Sequence, residues 1–496
     1  MKAIVIVLAL ALASDAGAES RRGYGGALVA TLYGEPASVD PITARSHAEI
    51  SLVGLVFDTL YRVDARGAVV PHLAVASPEV ATDGLHVRIA LRADVLFHDG
   101  SALGVDDVIA SLVRLGKSDA GWITAPVTAI DDGSDATGPA IAITLRVPTP
   151  GLATLLAQPQ SAITPRGAAP RPRAPIGSGP FRLLAIDRGK RTIALRAFDG
   201  HFAGRPYLDE LQLRWFADPD DEPRLYETGG AQLSLRGATA FAGHQPKYAS
   251  GELESAATVL VYVGFGRAHA AVLGNAEFRT ALDQAVARGG FATIGSGERA
   301  VPVLDPVPLE LGGTEATGVS KTGDLDAARA ALGRAGKAVP ALAPGALASL
   351  RLEILVDETR PDDREVGERV VRALDKLGIT ATLTALDALA LAARRDRGDF
   401  DLYIGQLPMA ATGAGVTWAQ AFAAGGDDWA RARLARGAID PGQARTQFAK
   451  TWPVVPLYFR ALRIHHRTDV RGLAFDGTAR LGLADAFLFG APRRAP

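Results

Sequence analysis

The sequence contains no cysteine among its 496 residues. Disulfide bonds, thiolate metal sites, haem attachment through thioethers and a cysteine nucleophile are therefore all excluded. A lipid-modified cysteine is excluded as well, so we expect no lipid anchor. Basic and acidic residues are balanced, at 53 and 54. That balance provides no electrostatic footprint for nucleic acid or for an anionic membrane surface.

The chain also lacks an apolar run that is long enough to cross a membrane. Its longest candidate, residues 3–13, is shorter than the roughly 20 residues that a spanning helix needs. With Lys2 before it and the small residues 16–18 after it, this run is typical of a secretory signal peptide spanning residues 1–18. We therefore expect a protein that is exported to the periplasm.

Sequence signatures of catalysis are largely missing. The segment Gly177-Ser178-Gly179 lacks the Gly-x-Ser-x-Gly spacing of a nucleophile elbow, and neither a phosphate loop nor a dinucleotide fingerprint occurs. The nine histidines are scattered, and His465 and His466, being adjacent on a strand, point to opposite faces. We therefore predict no catalytic residue, no metal site and no cofactor. A pair of acids separated in sequence remains possible, because only the fold fixes their distance.

The second half of the chain alternates between strand and helix patterns. Residues 350–356 form an apolar strand pattern, and the helical pattern that follows ends at Gly378, a favoured C-terminal cap. Residues 379–386, 388–397 and 400–405 then read as strand, helix and strand. Such a βαβαβ unit predicts parallel strands, with ligands bound beyond their carboxyl ends. The loops that start at Asp357 and Gln406 are therefore expected to face a cleft.

Several short motifs occur in one order along the first half. They are Val39-Asp40-Pro41, Val70-Pro71-His72-Leu73-Ala74, Asp83-Gly84, Val95-Leu96-Phe97-His98-Asp99-Gly100, Asp106-Asp107-Val108 and Ile176-Gly177-Ser178-Gly179-Pro180-Phe181. In this order they resemble the oligopeptide/dipeptide/nickel group, family 5, of the extracellular solute-binding proteins of ABC importers. The segment Pro453-Val454-Val455-Pro456-Leu457-Tyr458 continues the resemblance near the end of the chain.

The resemblance implies a fold and a division of the chain. The expected fold is α/β, namely a two-lobed periplasmic-binding-protein fold of type II-like form with an extra subdomain inserted in the first lobe. The first lobe is expected to comprise residues 24–48, 166–255 and 461–496, with the inserted subdomain at 49–165 and the second lobe at 256–460. The Pro/Arg-rich segment 165–175 is the clearest linker.

The resemblance also implies a function. The protein is expected to be a monomer that captures a small extended solute, foremost a peptide, and delivers it to an inner-membrane ABC permease. The residues predicted to line the cleft are Tyr33, Glu35, Asp357, Gln406, Pro408, Met409 and Trp418. Each has an alternative role: aromatic residues such as Tyr33 and Trp418 are more often part of a core, Glu35 is also suited to capping a turn, and Pro408 to ending a strand.

One departure from the family pattern concerns the ligand. Peptide-binding members place an aspartate after the third strand to neutralise the peptide's amino terminus, and Met409 stands near that place. A buried ammonium without a counter-charge is unfavourable by several kcal/mol. Recognition of a free amino terminus would therefore need Glu35, Asp357 or Glu358. Two other hypotheses remain: a secreted hydrolase that uses carboxylates, and a degenerate homologue with a docking role.

Overall fold

The structure is a computed structural model. It describes residues 24–32, 34–167, 175–218, 220–241, 245–248, 250–294, 299–409 and 413–489. The predicted signal peptide at 1–18, Tyr33 and most of the predicted linker lie outside the described residues. Among the helices that are described, none is long and apolar enough to cross a membrane.

The strands of the described chain are as follows, in sequence order: β1 (Ala27–Thr31), β2 (Tyr61–Val63), β3 (Val69–Pro71), β4 (Glu79–Val80), β5 (His86–Ala90), β6 (Val127–Asp132), β7 (Ala140–Leu145), β8 (Phe181–Asp187), β9 (Thr192–Ala197), β10 (Glu210–Arg214), β11 (Leu233–Ser234), β12 (Ser250–Glu254), β13 (Val259–Phe265), β14 (Ala300–Pro302), β15 (Arg351–Asp357), β16 (Thr380–Leu386), β17 (Leu402–Pro408), β18 (Val455–Arg460), β19 (Arg463–Arg467), β20 (Val470–Arg471), β21 (Ala474–Phe475), β22 (Leu481–Gly482) and β23 (Phe487–Leu488).

The α-helices of the same residues are α1 (His47–Val56), α2 (Val105–Gly116), α3 (Leu152–Leu155), α4 (Asp221–Glu227), α5 (Gly237–Ala240), α6 (Ala270–Leu273), α7 (Ala276–Ala285), α8 (Val319–Thr322), α9 (Leu325–Ala338), α10 (Pro361–Asp375), α11 (Ala388–Arg397), α12 (Ala414–Ala424), α13 (Trp429–Leu434) and α14 (Pro441–Thr451). Short 3-10 turns connect several of them.

The first lobe is built on a seven-stranded sheet with the order β12-β19-β11-β1-β10-β9-β8. The strand nearest the N-terminus, β1, lies in its centre and pairs in parallel with β10 and β11. The late strand β19 pairs antiparallel with β11 and β12. Segments from the beginning, middle and end of the chain therefore share one sheet.

The second lobe is built on a six-stranded sheet with the order β14-β18-β13-β17-β15-β16. Its strands β15 and β16 pair in parallel, as do β15 and β17, so the predicted βαβαβ unit is confirmed. The third strand extends to Pro408 instead of ending at Gly405, because β13 pairs with it along its whole length. Gln406 therefore lies inside a strand and not in a loop.

A four-stranded antiparallel sheet, β4-β5-β7-β6, carries α2, and its buried residues share one hydrophobic core with those of α12 and α14 in the second lobe. Along β5 and β7, buried residues alternate with more exposed ones, as in a sheet with one face against a core. Helix α2 begins where the Asp107 carboxylate accepts a hydrogen bond from the Gly104 N–H at 2.8 Å. A carboxylate at this position satisfies a free backbone donor of the first helical turn.

Two neighbouring segments connect the two lobes. The Ser255 N–H donates to the Leu462 carbonyl at 2.9 Å, and the Leu462 N–H donates to the Ser255 hydroxyl at 2.9 Å. Beyond them the chain enters β13 on one side and leaves β18 on the other. The two crossings are therefore held side by side by hydrogen bonds.

Candidate functional site

The candidate site lies where the loop after β1 meets the carboxyl end of β15. We define the interlobe network as Glu35 and Arg188 of the first lobe together with Asp357, Thr359, Arg360, Asp363 and Gln406 of the second. The second-lobe residues stand at the end of β15, at the start of α10 and on β17. This is the edge at which a parallel sheet presents its ligand-binding loops.

Asp357 organises the second-lobe side of the network. Its carboxylate accepts hydrogen bonds from the Thr359 N–H at 2.9 Å and from the Thr359 hydroxyl at 2.6 Å. The Arg360 guanidinium donates to it from Nε at 2.8 Å and from Nη2 at 2.7 Å. Only 3% of Asp357 and 8% of Arg360 is exposed. Both guanidinium nitrogens bind the same oxygen, Oδ2, while Thr359 binds Oδ1, so every hydrogen bond of this ion pair is withdrawn from water.

The first lobe contacts this arrangement through the loop after β1. The Glu35 N–H donates to the Thr359 hydroxyl at 3.2 Å. Gly34 has a φ of +95°, and a Cβ at its position would lie 3.2 Å from Thr359 Oγ1. The Glu35 carboxylate accepts a hydrogen bond from Arg188, in the turn between β8 and β9. Burial raises the pKa of Glu35, while Arg188 opposes that rise.

Asp363 and Gln406 close the network on the inner side. The Gln406 amide donates from Nε2 to Asp363 Oδ1 at 2.7 Å, and Arg360 Nε lies 3.4 Å from Asp363 Oδ2. Asp363 is completely buried, and burial raises its pKa to about 6, although Arg360 acts in the opposite direction. Next to it, Asp362 and Arg460 form a second buried ion pair at 3.4 Å.

A second polar group, the tyrosine–arginine group, comprises Tyr262, Tyr403 and Arg395. The two tyrosine hydroxyls lie 2.9 Å apart, on the neighbouring strands β13 and β17. The Arg395 guanidinium carbon lies 4.3 Å from the centre of the Tyr403 ring, and its Nη2 donates to the Tyr403 hydroxyl at 3.3 Å. Burial raises the pKa of Tyr262, and the neighbouring Tyr403 adds to the rise.

The structure brings together three of the residues predicted from the sequence. Glu35 and Asp357 are joined through Thr359, and Gln406 is joined to them through Asp363 and Arg360. Tyr33, two residues before Glu35 in the sequence, lies outside the described residues. The network therefore gathers the polar members of the predicted set.

The apolar members of that set lie elsewhere. Pro408 is buried at the end of β17, opposite Val259. Met409 is completely buried, and its N–H donates to the Thr258 carbonyl at 2.9 Å. Trp418 on α12 is 1% exposed and packs its ring against Phe448. Met409 and Trp418 belong to the same large hydrophobic core.

Sequence reasoning missed Arg188, Arg360, Asp363, Arg395 and the tyrosine pair. A signal was present for two of them, because Arg360 and Asp363 flank Pro361 at the first turn of a helix that follows a parallel strand. Arg188 and Arg395 have no such local signal. Within the described ranges, no three His, Cys, Asp or Glu side chains are grouped so that they could hold a metal ion.

Comparison with known proteins gives a consistent result. The model of the family described as bacterial extracellular solute-binding proteins, family 5 Middle, matches residues 68–425. The HTH-type transcriptional regulator SgrR of Photorhabdus laumondii is 30% identical over 206 residues, which cover 40% of this chain and 35% of that protein. The chain thus matches only about a third of the length of this curated relative.

Solved structures resemble the chain over nearly its whole length. AgaA from A. tumefaciens R10, in complex with agropinic acid, has a TM-score of 0.74 at 20% identity and covers 94% of this chain and 100% of its own. The oligopeptide-binding protein AppA from Bacillus subtilis, in complex with a nonapeptide, has a TM-score of 0.74 at 19% identity, with coverage of 94% and 100%. The predicted two-lobed α/β fold is confirmed.

Proposed function

This chain belongs to the bacterial extracellular solute-binding proteins of family 5, and from that premise we propose that it is the substrate-binding component of an ABC transporter. It captures a small extended solute between its two lobes and delivers it to an inner-membrane permease. Members of the family are transport binding proteins and not enzymes. We propose the same for this chain.

The observation that carries the proposal is the interlobe network. Glu35 from the first lobe contacts Thr359 from the second, and buried charges of both signs lie directly behind that contact. A buried ion pair is weak evidence for stability, because desolvation offsets much of its attraction. Charged groups placed at the junction of two lobes instead suit recognition of a polar ligand that completes the network when the lobes close.

We propose that the solute is a peptide or a compound of similar size with charged ends. AppA, which has the same fold, is described in complex with a nonapeptide. Buried charges of both signs support a ligand with an ammonium group and a carboxylate. Glu35 and Asp363, whose pKa values are raised by burial, are the groups that would gain from a ligand cation. They supply the negative charge that is absent at Met409.

For the predicted ligand-binding residues we propose two different roles. Glu35, Asp357 and Gln406 contact the ligand directly or hold the groups that do, since they already share one hydrogen-bonded network. Tyr33 is proposed to line the first-lobe side of the ligand. Pro408, Met409 and Trp418 are proposed to support the wall of the site from the core behind it.

The proposed cellular setting follows from the family and from the sequence. We propose that the protein acts in the periplasm as a monomer, after cleavage of the leader at residues 1–18, without a lipid anchor. The absence of cysteine from the sequence supports the last point.

Calorimetric titration with a pool of di- to pentapeptides tests the proposed function. We expect saturable binding and no change in the composition of the pool, which chromatography before and after incubation would measure. Consumption of peptide would favour the hydrolase hypothesis. Absence of binding by folded protein would favour the degenerate homologue.

The Asp357→Asn variant makes the same titration specific for the site. Because Asp357 binds both Thr359 and Arg360, we expect the affinity of the Asp357→Asn variant for the peptide pool to fall at least tenfold. Asp326→Asn is a matched control, since Asp326 is fully exposed on α9. It should bind the pool as the unaltered protein does.

A further inference from the structure

We propose that Arg395, positioned by Tyr403 and Tyr262, binds a carboxylate of the ligand. The inference rests on the proposed function and specifies it further, because it makes the solute an acid. The observation behind it is a half-buried guanidinium between the lobes that has no carboxylate partner within the described residues.

Unlike Arg395, its neighbours Arg394 and Arg397 on the same helix each pair with a carboxylate. On the same helix, Arg394 pairs with Glu353 at 2.7 Å and with Asp399 at 2.8 Å, and Arg397 pairs with Asp399 at 2.9 Å. In the described chain, Arg395 has no carboxylate within 4 Å. A partly buried cation without a counter-ion is unfavourable unless a ligand supplies one.

The carboxylate of the opposite lobe that attracts Arg395 electrostatically is that of Glu49, and its oxygens already accept hydrogen bonds from other groups. It accepts hydrogen bonds from four backbone N–H groups, those of residues 37, 38, 45 and 46, at 2.9 to 3.1 Å. Glu49 attracts Arg395 through space, whereas Arg360 repels it. A ligand carboxylate would therefore not compete with Glu49 for the guanidinium.

The two tyrosines hold Arg395 in a fixed orientation. The Tyr403 ring contacts the guanidinium carbon at 4.3 Å, and its hydroxyl accepts one N–H. Tyr262 fixes that hydroxyl through the 2.9 Å contact, and both tyrosines are at most 4% exposed. A guanidinium has five N–H donors, so donors remain for the two oxygens of a carboxylate.

The location of the group is the second part of the argument. Arg395 lies in the last turn of α11, against Tyr403 near the start of β17, and Glu49 of α1 and Arg45 before it act electrostatically on the tyrosine–arginine group. Helix α1 and β17 are in contact. The free N–H groups therefore lie where the lobes meet, beside the interlobe network and not on the outer surface.

Three tripeptide pools test the inference by calorimetry. The first has free C-termini and no acidic side chains, the second consists of the same peptides as C-terminal amides, and the third consists of amides that each contain one glutamate. The unaltered protein should bind the first pool about 10- to 100-fold more tightly than the second. Tight binding of the third pool instead would assign the carboxylate to a ligand side chain.

Variants connect this preference to Arg395. Arg395→Gln should lose the preference for acids, and Arg395→Lys should retain part of it. Tyr403→Phe keeps the ring but removes the hydroxyl, so it should weaken the preference by a smaller factor. Arg397→Gln, a change on the same helix at an exposed residue, should behave like the unaltered protein.

Two results would overturn the inference without affecting the proposed function. One is equal binding of the acid and amide pools by the unaltered protein, and the other is an undiminished preference in Arg395→Gln. Failure of all three pools to bind would overturn the peptide proposal together with this inference.

Discussion

Removal of the Arg360 guanidinium should destabilise the protein strongly. In the structure it neutralises Asp357 through two N–H groups and lies 3.4 Å from Asp363, and all three residues are buried. Arg360→Gln would leave two carboxylates in a poorly solvated junction. Breaking a buried ion pair by removing one partner costs about 3–5 kcal/mol. Urea denaturation at pH 7.5, followed by tryptophan fluorescence, measures the change.

The control for this experiment is Arg364→Gln, because Arg364 is exposed on the same helix. It should change the free energy of unfolding by less than about 0.5 kcal/mol. Combining Arg360→Gln with Asp363→Asn should recover about 1–2 kcal/mol, since one of the stranded carboxylates is then removed. Equal and small effects of Arg360→Gln and Arg364→Gln would refute the reasoning that the network is a buried, mutually dependent unit.

Three further predictions concern the same junction. Because burial raises the pKa of Asp363 to about 6, the folded state binds this proton more tightly than the unfolded chain. When the pH falls from 7.5 to 4.5, the free energy of unfolding of the unaltered protein should therefore rise by about 2 kcal/mol relative to that of Asp363→Asn, as measured by urea denaturation. A difference between the two proteins that does not depend on pH would contradict this. Gly34→Ala should lower the urea midpoint more than Gly204→Ala does. Both glycines have a positive φ, but only Gly34 is packed against the other lobe, at Thr359. Equal shifts of the midpoint would argue against the contact between Gly34 and Thr359. Gln158→Leu removes the 3.0 Å hydrogen bond that Gln420 donates to Gln158 across the two lobes. Small-angle scattering of the unliganded variant should therefore show a larger radius of gyration than that of the unaltered protein. An unchanged radius would show that this hydrogen bond does not help to hold the lobes together.

Local sequence patterns predicted the framework of the second lobe well. The apolar periodicity of β15, α10, β16 and α11 is set by which face is buried, and this can be read from neighbouring residues. The extension of β17 to Pro408 could not be read in this way, because it depends on pairing with β13, more than 130 residues away.

The candidate site was predictable only in part, for the same reason. Glu35, Asp357 and Gln406 could be selected because each is a polar residue near the end of a strand. The contact between Glu35 and Thr359 spans 324 residues of sequence, so no local spacing reveals it. The burial of Met409 and Trp418 depends on α12 packing against α14 and other distant segments of the large core.

Native mass spectrometry of the protein, purified from a periplasmic extract without denaturation, tests the central claim most directly. The account predicts an excess mass in discrete peptide-sized increments, which is released when the protein is unfolded and refolded. A bare chain that remains unliganded after incubation with a pool of di- to pentapeptides would contradict it.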